Sequence, residues 1–215
     1  MNWIVFLVSA VTAYLVSGLN PAIILSRLIY KKDIRSEGSG NPGFTNFMRV
    51  FGKKYAWWVF VLDILKSVVL SLVFGFVFEK TGTASRVFGV AYTGVFALLG
   101  HAFPVWYRFE GGKGFLVNLA LIFFLDWRAG LIAFSVMAIL LFTVKYMSLA
   151  TMAGLLLGAV ALIFFKTETA AVLLYFGCVI FMIIRHHENI ARLLKGTESK
   201  FSLGGKKKAS ESVSE

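Results

Sequence analysis

This 215-residue chain is 58% hydrophobic and only 15% charged, with 22 phenylalanines and a mean hydropathy of +0.78. Soluble domains carry about 25% charged residues, so a water-soluble globular fold is excluded, and the length allows one compact membrane unit without a sizeable soluble domain. The net charge of +11 does not point to nucleic acid: the positive residues flank apolar runs, as membrane orientation requires.

Apolar runs lie at 3–29, 55–79, 86–106, 114–125, 128–144, 148–165 and 169–185. A spanning helix takes about 20 residues, with about 17 as the lower limit. The run at 114–125 is therefore short, and only Asp126-Trp127-Arg128 divides it from the next. The pattern predicts an all-α, polytopic bundle of seven transmembrane helices. Five result if 114–144 and 148–185 each form one span. Both counts are odd, which puts the termini on opposite sides.

Met1-Asn2-Trp3 lacks a basic n-region, so no cleaved signal peptide is expected. Ser17-Gly18-Leu19-Asn20-Pro21 interrupts the first run and predicts a kink, because proline removes a backbone donor and clashes with the preceding turn. A bent helix is the ordinary reading there. In the second run, Asp63 and Lys66 share a helix face at i, i+3 and are expected to pair inside the bundle, for structure or for function. The single Cys178 provides neither a disulfide framework nor a metal cluster, and no metal or cofactor is expected. Residues 1–200 form one membrane domain, and 201–215 reads as a disordered basic and polar tail whose lysines meet lipid headgroups.

Orientation follows from lysine and arginine placement. With the N-terminus outside, seventeen positive residues fall on cytoplasmic segments, and Lys80, Arg86, Arg128 and Lys166 are the four outside. Three polar patches then share the cytoplasmic face: the loop at 30–54, the loop at 107–114 and the C-terminal segment.

The first patch runs from Ser39 to Arg49. Asn41-Pro42 reads as a helix N-cap followed by proline at the first helical position, flanked by Gly40 and Gly43. Converging backbone N–H groups at such a helix start bind phosphate. Thr45 and Asn46 follow in the next turns, and Arg49 adds a bidentate donor. The second patch pairs Gly100-His101-Ala102-Phe103-Pro104 with Gly111-Gly112-Lys113-Gly114. Gly114 stands where a nucleotide-binding loop needs Ser or Thr to hold magnesium, so the loop is read as a metal-free phosphate cradle with one lysine. His101 is read as a hydrogen-bonding residue at a helix end, and Glu110 as solvated. In the third patch His186 and Asn189 lie i, i+3 on one face, Arg192 continues that face, and His187 is turned away. Glu198 is read as structural, closing the end of this C-terminal helix.

At these residues the chain resembles the bacterial acyl-phosphate:glycerol-3-phosphate acyltransferases, a family of integral membrane enzymes. The family motif S-G-N-P-G-x-T-N-x-x-R is matched by Ser39 to Arg49. G-H-x-F-P and F-x-G-G-K-G are matched by Gly100 to Pro104 and Phe109 to Gly114, and H-x-x-N-I-x-R-L-x-x-G-x-E by His186 to Glu198. The chain departs from the usual pattern at Phe44, where a small residue is common, at Trp106, where phenylalanine is usual, and at Phe115-Leu116-Val117. These departures bear on pocket shape and acyl-chain preference.

The resemblance implies transfer of a fatty acyl group from acyl phosphate to the 1-hydroxyl of sn-glycerol 3-phosphate, yielding lysophosphatidic acid and phosphate. It also implies seven spans, an active site on the cytoplasmic face of the bacterial plasma membrane, and coupling to the enzyme that makes acyl phosphate. Ser39, Lys113, His186 and Asn189 are the expected catalytic residues. Gly40, Asn41, Gly43, Thr45, Asn46, Arg49, His101, Gly111, Gly112, Gly114 and Arg192 are expected to bind substrate. The alternative is a membrane transporter for a phosphorylated solute, which would need its polar groups near the bilayer midplane. The H-x4-D dyad of thioester-dependent acyltransferases is absent: the fifth residue after His101 is Trp106, and after His186 it is Ala191.

Overall fold

The computed structural model describes residues 2–201, so the expected tail falls outside the described residues from position 202 onward. The described chain consists of helices and loops: α1 (Trp3–Ser17), α2 (Pro21–Tyr30), α3 (Phe44–Phe51), α4 (Lys53–Lys80), α5 (Arg86–Ala102), α6 (Phe115–Leu125), α7 (Trp127–Thr143), α8 (Met147–Phe164), α9 (Thr169–Arg185) and α10 (His187–Leu194). Single 3-10 turns lie at Ile34–Ser36 and Val105–Tyr107.

Helix boundaries follow local chemistry. The expected break in the first run falls at Gly18–Asn20, where Asn20 caps α2 by accepting from the Ile23 N–H at 3.1 Å with Pro21 as the first helical residue. Ser85 caps α5 through Phe88 N–H, and Asp126 caps α7 through Arg128 N–H. Asp126 thereby separates α6 from α7. Helices α8 and α9 are likewise distinct, packed against each other across a turn at 165–168. The stretches 114–144 and 148–185 are therefore each two helices and not one continuous helix. The Asp126 cap and the turn at 165–168 end helices that composition alone would continue.

The bundle is built inside out relative to a soluble protein. On α4 the buried positions are Ala56, Val59, Asp63, Ser67, Ser71, Gly75 and Phe78, one stripe at a spacing of three to four residues. Trp57, Trp58, Leu65, Val69, Val73 and Phe76 face outward. Lipid solvates large apolar side chains well, so small and polar residues are kept for close helix contact. Helices α7 and α8 show the same device, since a Cβ on Gly154 would lie 2.6 Å from the Ala133 carbonyl oxygen.

Among the described residues, four stretches are long and apolar enough to cross a bilayer: Trp3–Tyr30, Lys53–Lys80, Arg86–Tyr107 and Met147–Phe164. Helix α9 and α10, bent by 57° at His186, form a fifth candidate. Helix α6 has 11 residues and α7 has 17, at or below the usual spanning length. All seven apolar runs are thus helical, but they differ in reach. Helix α1 packs on α4 and α5, α6 lies among α4, α5, α7 and α9, and the loops before α3 and α6 meet α10 at one end of the bundle.

Candidate active site

The segment 38–43 is shaped by side chains that reach in from elsewhere. Asn46 turns its amide back into the loop: its Oδ1 accepts from Ser39 N–H at 3.0 Å, and its Nδ2 donates to the Glu37 carbonyl at 3.0 Å. Asn20, fully buried beneath, donates from Nδ2 to the Pro42 carbonyl at 3.0 Å. The Gly43 N–H bonds the Asn41 carbonyl at 2.9 Å, closing a tight turn around Pro42. With the backbone committed to that turn, α3 begins only at Phe44, with Gly43 as N-cap and no side-chain cap. The expected Asn41 cap with Pro42 as first helical residue is therefore corrected. An uncapped helix start remains after the correction. Residues 44–46 present N–H groups without intrahelical partners at the positive end of α3, beside the exposed Ser39. Asn46, expected to touch substrate, spends its amide on holding this loop.

The second loop rests on the end of α5. Gly112 N–H donates to the His101 carbonyl at 3.1 Å, and the same backbone passes so close to the His101 ring that a Cβ on Gly112 would overlap Nε2. Gly114, at φ +82°, turns the chain into α6 in a conformation that favours glycine. Lys113 projects between these contacts and donates to Asn189 Oδ1. Burial lowers the pKa of its ammonium. His101 is buried below the loop, with Nδ1 3.4 Å from Asp63 Oδ1. The expected Asp63–Lys66 pair forms at 2.9 Å.

The third patch lies on α10 and the strand of chain after it. His186 ends α9, and its Nδ1 donates to the Met182 carbonyl at 2.8 Å, which leaves Nε2 as the acceptor. Burial pulls the His186 pKa down to about 4, and the nearby Lys113 charge adds to the effect. Glu198 does not close the helix end, as expected from sequence. It binds three elements together, accepting from Ser148 Oγ at 2.8 Å, Asn189 Nδ2 at 2.7 Å and Arg192 Nε at 2.7 Å. Burial opposes its charge, but these donors outweigh burial and hold the carboxyl below its ordinary value. The end of α10 is closed instead by backbone bonds, among them Thr197 N–H to the Arg192 carbonyl at 2.8 Å.

All three patches line a single cavity of about 500 Å³. Of the residues expected at the site, Ser39, Gly40, Asn41, Gly43, Thr45, Asn46, Arg49, His101, Gly111, Lys113, Gly114, His186, Asn189 and Arg192 line it, while Gly112 lies behind the lining. His187, expected to turn away, also borders the cavity, though exposed. Glu110 is largely exposed but pairs with Arg35 Nη1 at 3.0 Å instead of being free in solvent.

Sequence reasoning missed Arg35, Ser148, Ser199 and the role of Arg185. Arg185 donates from Nη2 to the Gly111 carbonyl at 3.2 Å and lies over the Phe103 ring, fastening the glycine loop to α9. Its position directly before His186 was the available signal. Ser148, the second residue of α8, lies far from any motif and carried none. Arg49, Lys113, Arg185 and Arg192 line the cavity together with the carboxylates of Asp63, Glu110, Glu188 and Glu198, and Phe44, Phe115 and Leu116 add apolar lining.

Residues 7–196 match the family model described as glycerol-3-phosphate acyltransferase. The chain belongs to the glycerol-3-phosphate acyltransferase family. It is 34% identical over 207 residues to the glycerol-3-phosphate acyltransferase of Bartonella henselae, covering 95% of each chain. To that of Lactiplantibacillus plantarum it is 31% identical, covering 92% of this chain and 93% of the relative. Its fold is similar to the crystal structure of PlsY (YgiH), an integral membrane glycerol 3-phosphate acyltransferase, in its glycerol 3-phosphate form. That likeness has a TM-score of 0.82 and 32% identity, covering 92% of this chain and 96% of the other. The lysophosphatidic acid form of PlsY gives a TM-score of 0.79. As an integral membrane acyltransferase of this family, the protein brings its three motif segments together at the ends of its helices, with their polar groups around one cavity.

Proposed function

We propose that this acyltransferase moves a fatty acyl group from an acyl phosphate to the 1-hydroxyl of sn-glycerol 3-phosphate, releasing lysophosphatidic acid and inorganic phosphate. The observation that carries this reading is one cavity lined by two groups of basic and hydrogen-bond-donating side chains from different elements. The start of α3 brings Ser39, Thr45 and Arg49; the glycine loop, the end of α9 and α10 bring Lys113, Arg185, Asn189 and Arg192. Two phosphate-bearing substrates need such a pair of sites. Phe44, Phe115 and Leu116 give the first carbons of an acyl chain an apolar wall. PlsY has been captured in a glycerol 3-phosphate form and a lysophosphatidic acid form, which supports the same acceptor and product here.

In this reading, the acyl phosphate head docks at the α3 N-terminus, where free N–H groups and Ser39 bind its oxygens. Lys113 and Arg192 hold glycerol 3-phosphate and offset the repulsion between two anions. The 1-hydroxyl oxygen attacks the acyl carbonyl carbon, the bond from that carbon to the bridging oxygen breaks, and phosphate leaves with the electron pair. His186, neutral with Nε2 free, accepts a hydrogen bond from the hydroxyl and aims it. At a pKa of about 4, His186 is a weak proton acceptor, whereas the phosphate oxygen that leaves with the electron pair is strongly basic, so the proton passes to phosphate. An acyl phosphate is already activated, so bringing the partners together supplies much of the acceleration, on the order of 7–11 kcal/mol in well-aligned cases.

The lysine and arginine bias supports a cytoplasmic cavity, an outside N-terminus and seven crossings in a bacterial plasma membrane. A reaction that forms acyl phosphates must feed the site. The transporter reading is less favoured, because the cationic groups gather at helix ends and not midway along the spans.

Purified protein in lipid, given glycerol 3-phosphate with either acyl phosphate or acyl-CoA of one chain length, tests the donor. Lysophosphatidic acid is expected from acyl phosphate alone. Product from acyl-CoA alone contradicts the donor assignment. Uptake of glycerol 3-phosphate into sealed vesicles without any product returns the transporter reading.

A further inference from the structure

We infer that Asp63 is a positioning residue: acting through His101, it sets the backbone of Gly111-Gly112-Lys113 for glycerol 3-phosphate. A carboxylate buried within a spanning helix is costly even when paired. If Asp63 served only to neutralise Lys66, the 2.9 Å pair within α4 would be complete without a third partner. A third partner is nonetheless present. His101, from the last turn of α5, brings Nδ1 to 3.4 Å from the same carboxylate oxygen, while Lys66 also donates to the Leu19 carbonyl at 3.1 Å and so anchors the group to the break between α1 and α2.

The opposite edge of the His101 ring carries Nε2, against which the Gly112 backbone lies with no room for a side chain. His101 also accepts the Gly112 N–H through its carbonyl. Gly112 is thus held from two directions by one residue, whose ring lies with its Nδ1 3.4 Å from the Asp63 carboxylate. The next residue, Lys113, bridges to Asn189. A rotation of the His101 ring would shift the glycine backbone and the lysine together. Misplacement on the scale of 1 Å costs about 100-fold in catalysis.

The inference rests on reading Gly111–Gly114 as the glycerol-phosphate side of the cavity. The test is the variant Asp63→Asn/Lys66→Met, which removes both charges and leaves none unpaired, assayed in lipid with both substrates varied. A KM for glycerol 3-phosphate raised about tenfold or more is expected, with the KM for acyl phosphate changed less than about twofold. Gly112→Ala should reproduce that split, and combining the changes should add little beyond the larger effect, because they act on one contact. An unchanged KM for glycerol 3-phosphate, equal changes for both substrates, or full additivity would overturn the positioning role. If the double variant does not fold, His101→Asn keeps a donor for Asp63 but withdraws the ring from Gly112; the same split is expected, and its absence overturns the role. Wild-type enzyme that makes no lysophosphatidic acid defeats the underlying site reading instead, so the two failures are distinct.

Discussion

Lys113 concentrates the chemistry of the cavity in one side chain. It is half-buried, its ammonium pKa is lowered by burial, and Asn189 holds it in place. Replacing it with methionine keeps most of the stem but leaves two substrate anions without their central charge. Lys113→Met is expected to lower kcat/KM for glycerol 3-phosphate by about 100-fold or more, with Lys113→Arg intermediate because its fork cannot repeat the point contact. Steady-state kinetics in lipid would show this, and an effect below about threefold would contradict the role. His186 makes a prediction about pH. Its pKa falls from 6.5 to about 4, so it stays neutral through the physiological range. The rate profile should therefore show no His186 inflection near 6.5, and one that disappears in His186→Gln would contradict the orienting role. The stability consequence has the same sign for two groups. Between 6.5 and about 4 the unfolded chain binds a proton at His186 that the folded chain refuses, so acid destabilises. Glu198, held below its ordinary value, contributes stability that is lost as pH falls through its folded value. Thermal unfolding in detergent should shift downward from pH 7 to pH 4, and less so in Glu198→Gln.

At the scale of elements, the cavity depends on asparagines that hold loops. Asn20 caps α2 and, with its other amide atom, holds the Pro42 carbonyl, joining the break in the first run to the turn before α3. Asn20→Ala removes both bonds in a buried place and is expected to cost about 1–3 kcal/mol of stability, measured by denaturant or thermal unfolding. It should also raise the KM for acyl phosphate, since the N–H groups of α3 lose their aim. These residues show how much was legible. The three motifs were readable because glycine, proline, histidine and lysine at fixed spacing carry local chemistry, and all three meet in one cavity. The start of α3 was misplaced because the partner that diverts Pro42 lies 22 residues upstream. Ser148 was invisible because its tie to Glu198 spans 50 residues. Asp63 and Lys66 were recognisable as a pair from their spacing, but no spacing rule links them to His101.

For the whole molecule, apolar content revealed a membrane bundle, but the division into crossings was less legible. Both sides of α4 are apolar enough that helical periodicity is muted, and the buried stripe is marked by small and polar residues instead. The short α6 and the bent junction of α9 with α10 show why counting runs differs from counting spans. The reading with the N-terminus outside predicts opposite labelling of two loops. With Cys178 replaced by serine, a cysteine at Thr83 should react with a membrane-impermeant reagent in intact cells, whereas one at Lys54 should react only after lysis. The reverse pattern would invert the topology and place the cavity outside. Direct acyl transfer between two phosphate-bearing substrates in this cavity is tested by following lysophosphatidic acid and phosphate together from acyl phosphate. Equal amounts of both are expected at all times, with no phosphate released until glycerol 3-phosphate is added. A burst of phosphate without acceptor, or phosphate without lysophosphatidic acid, would contradict it.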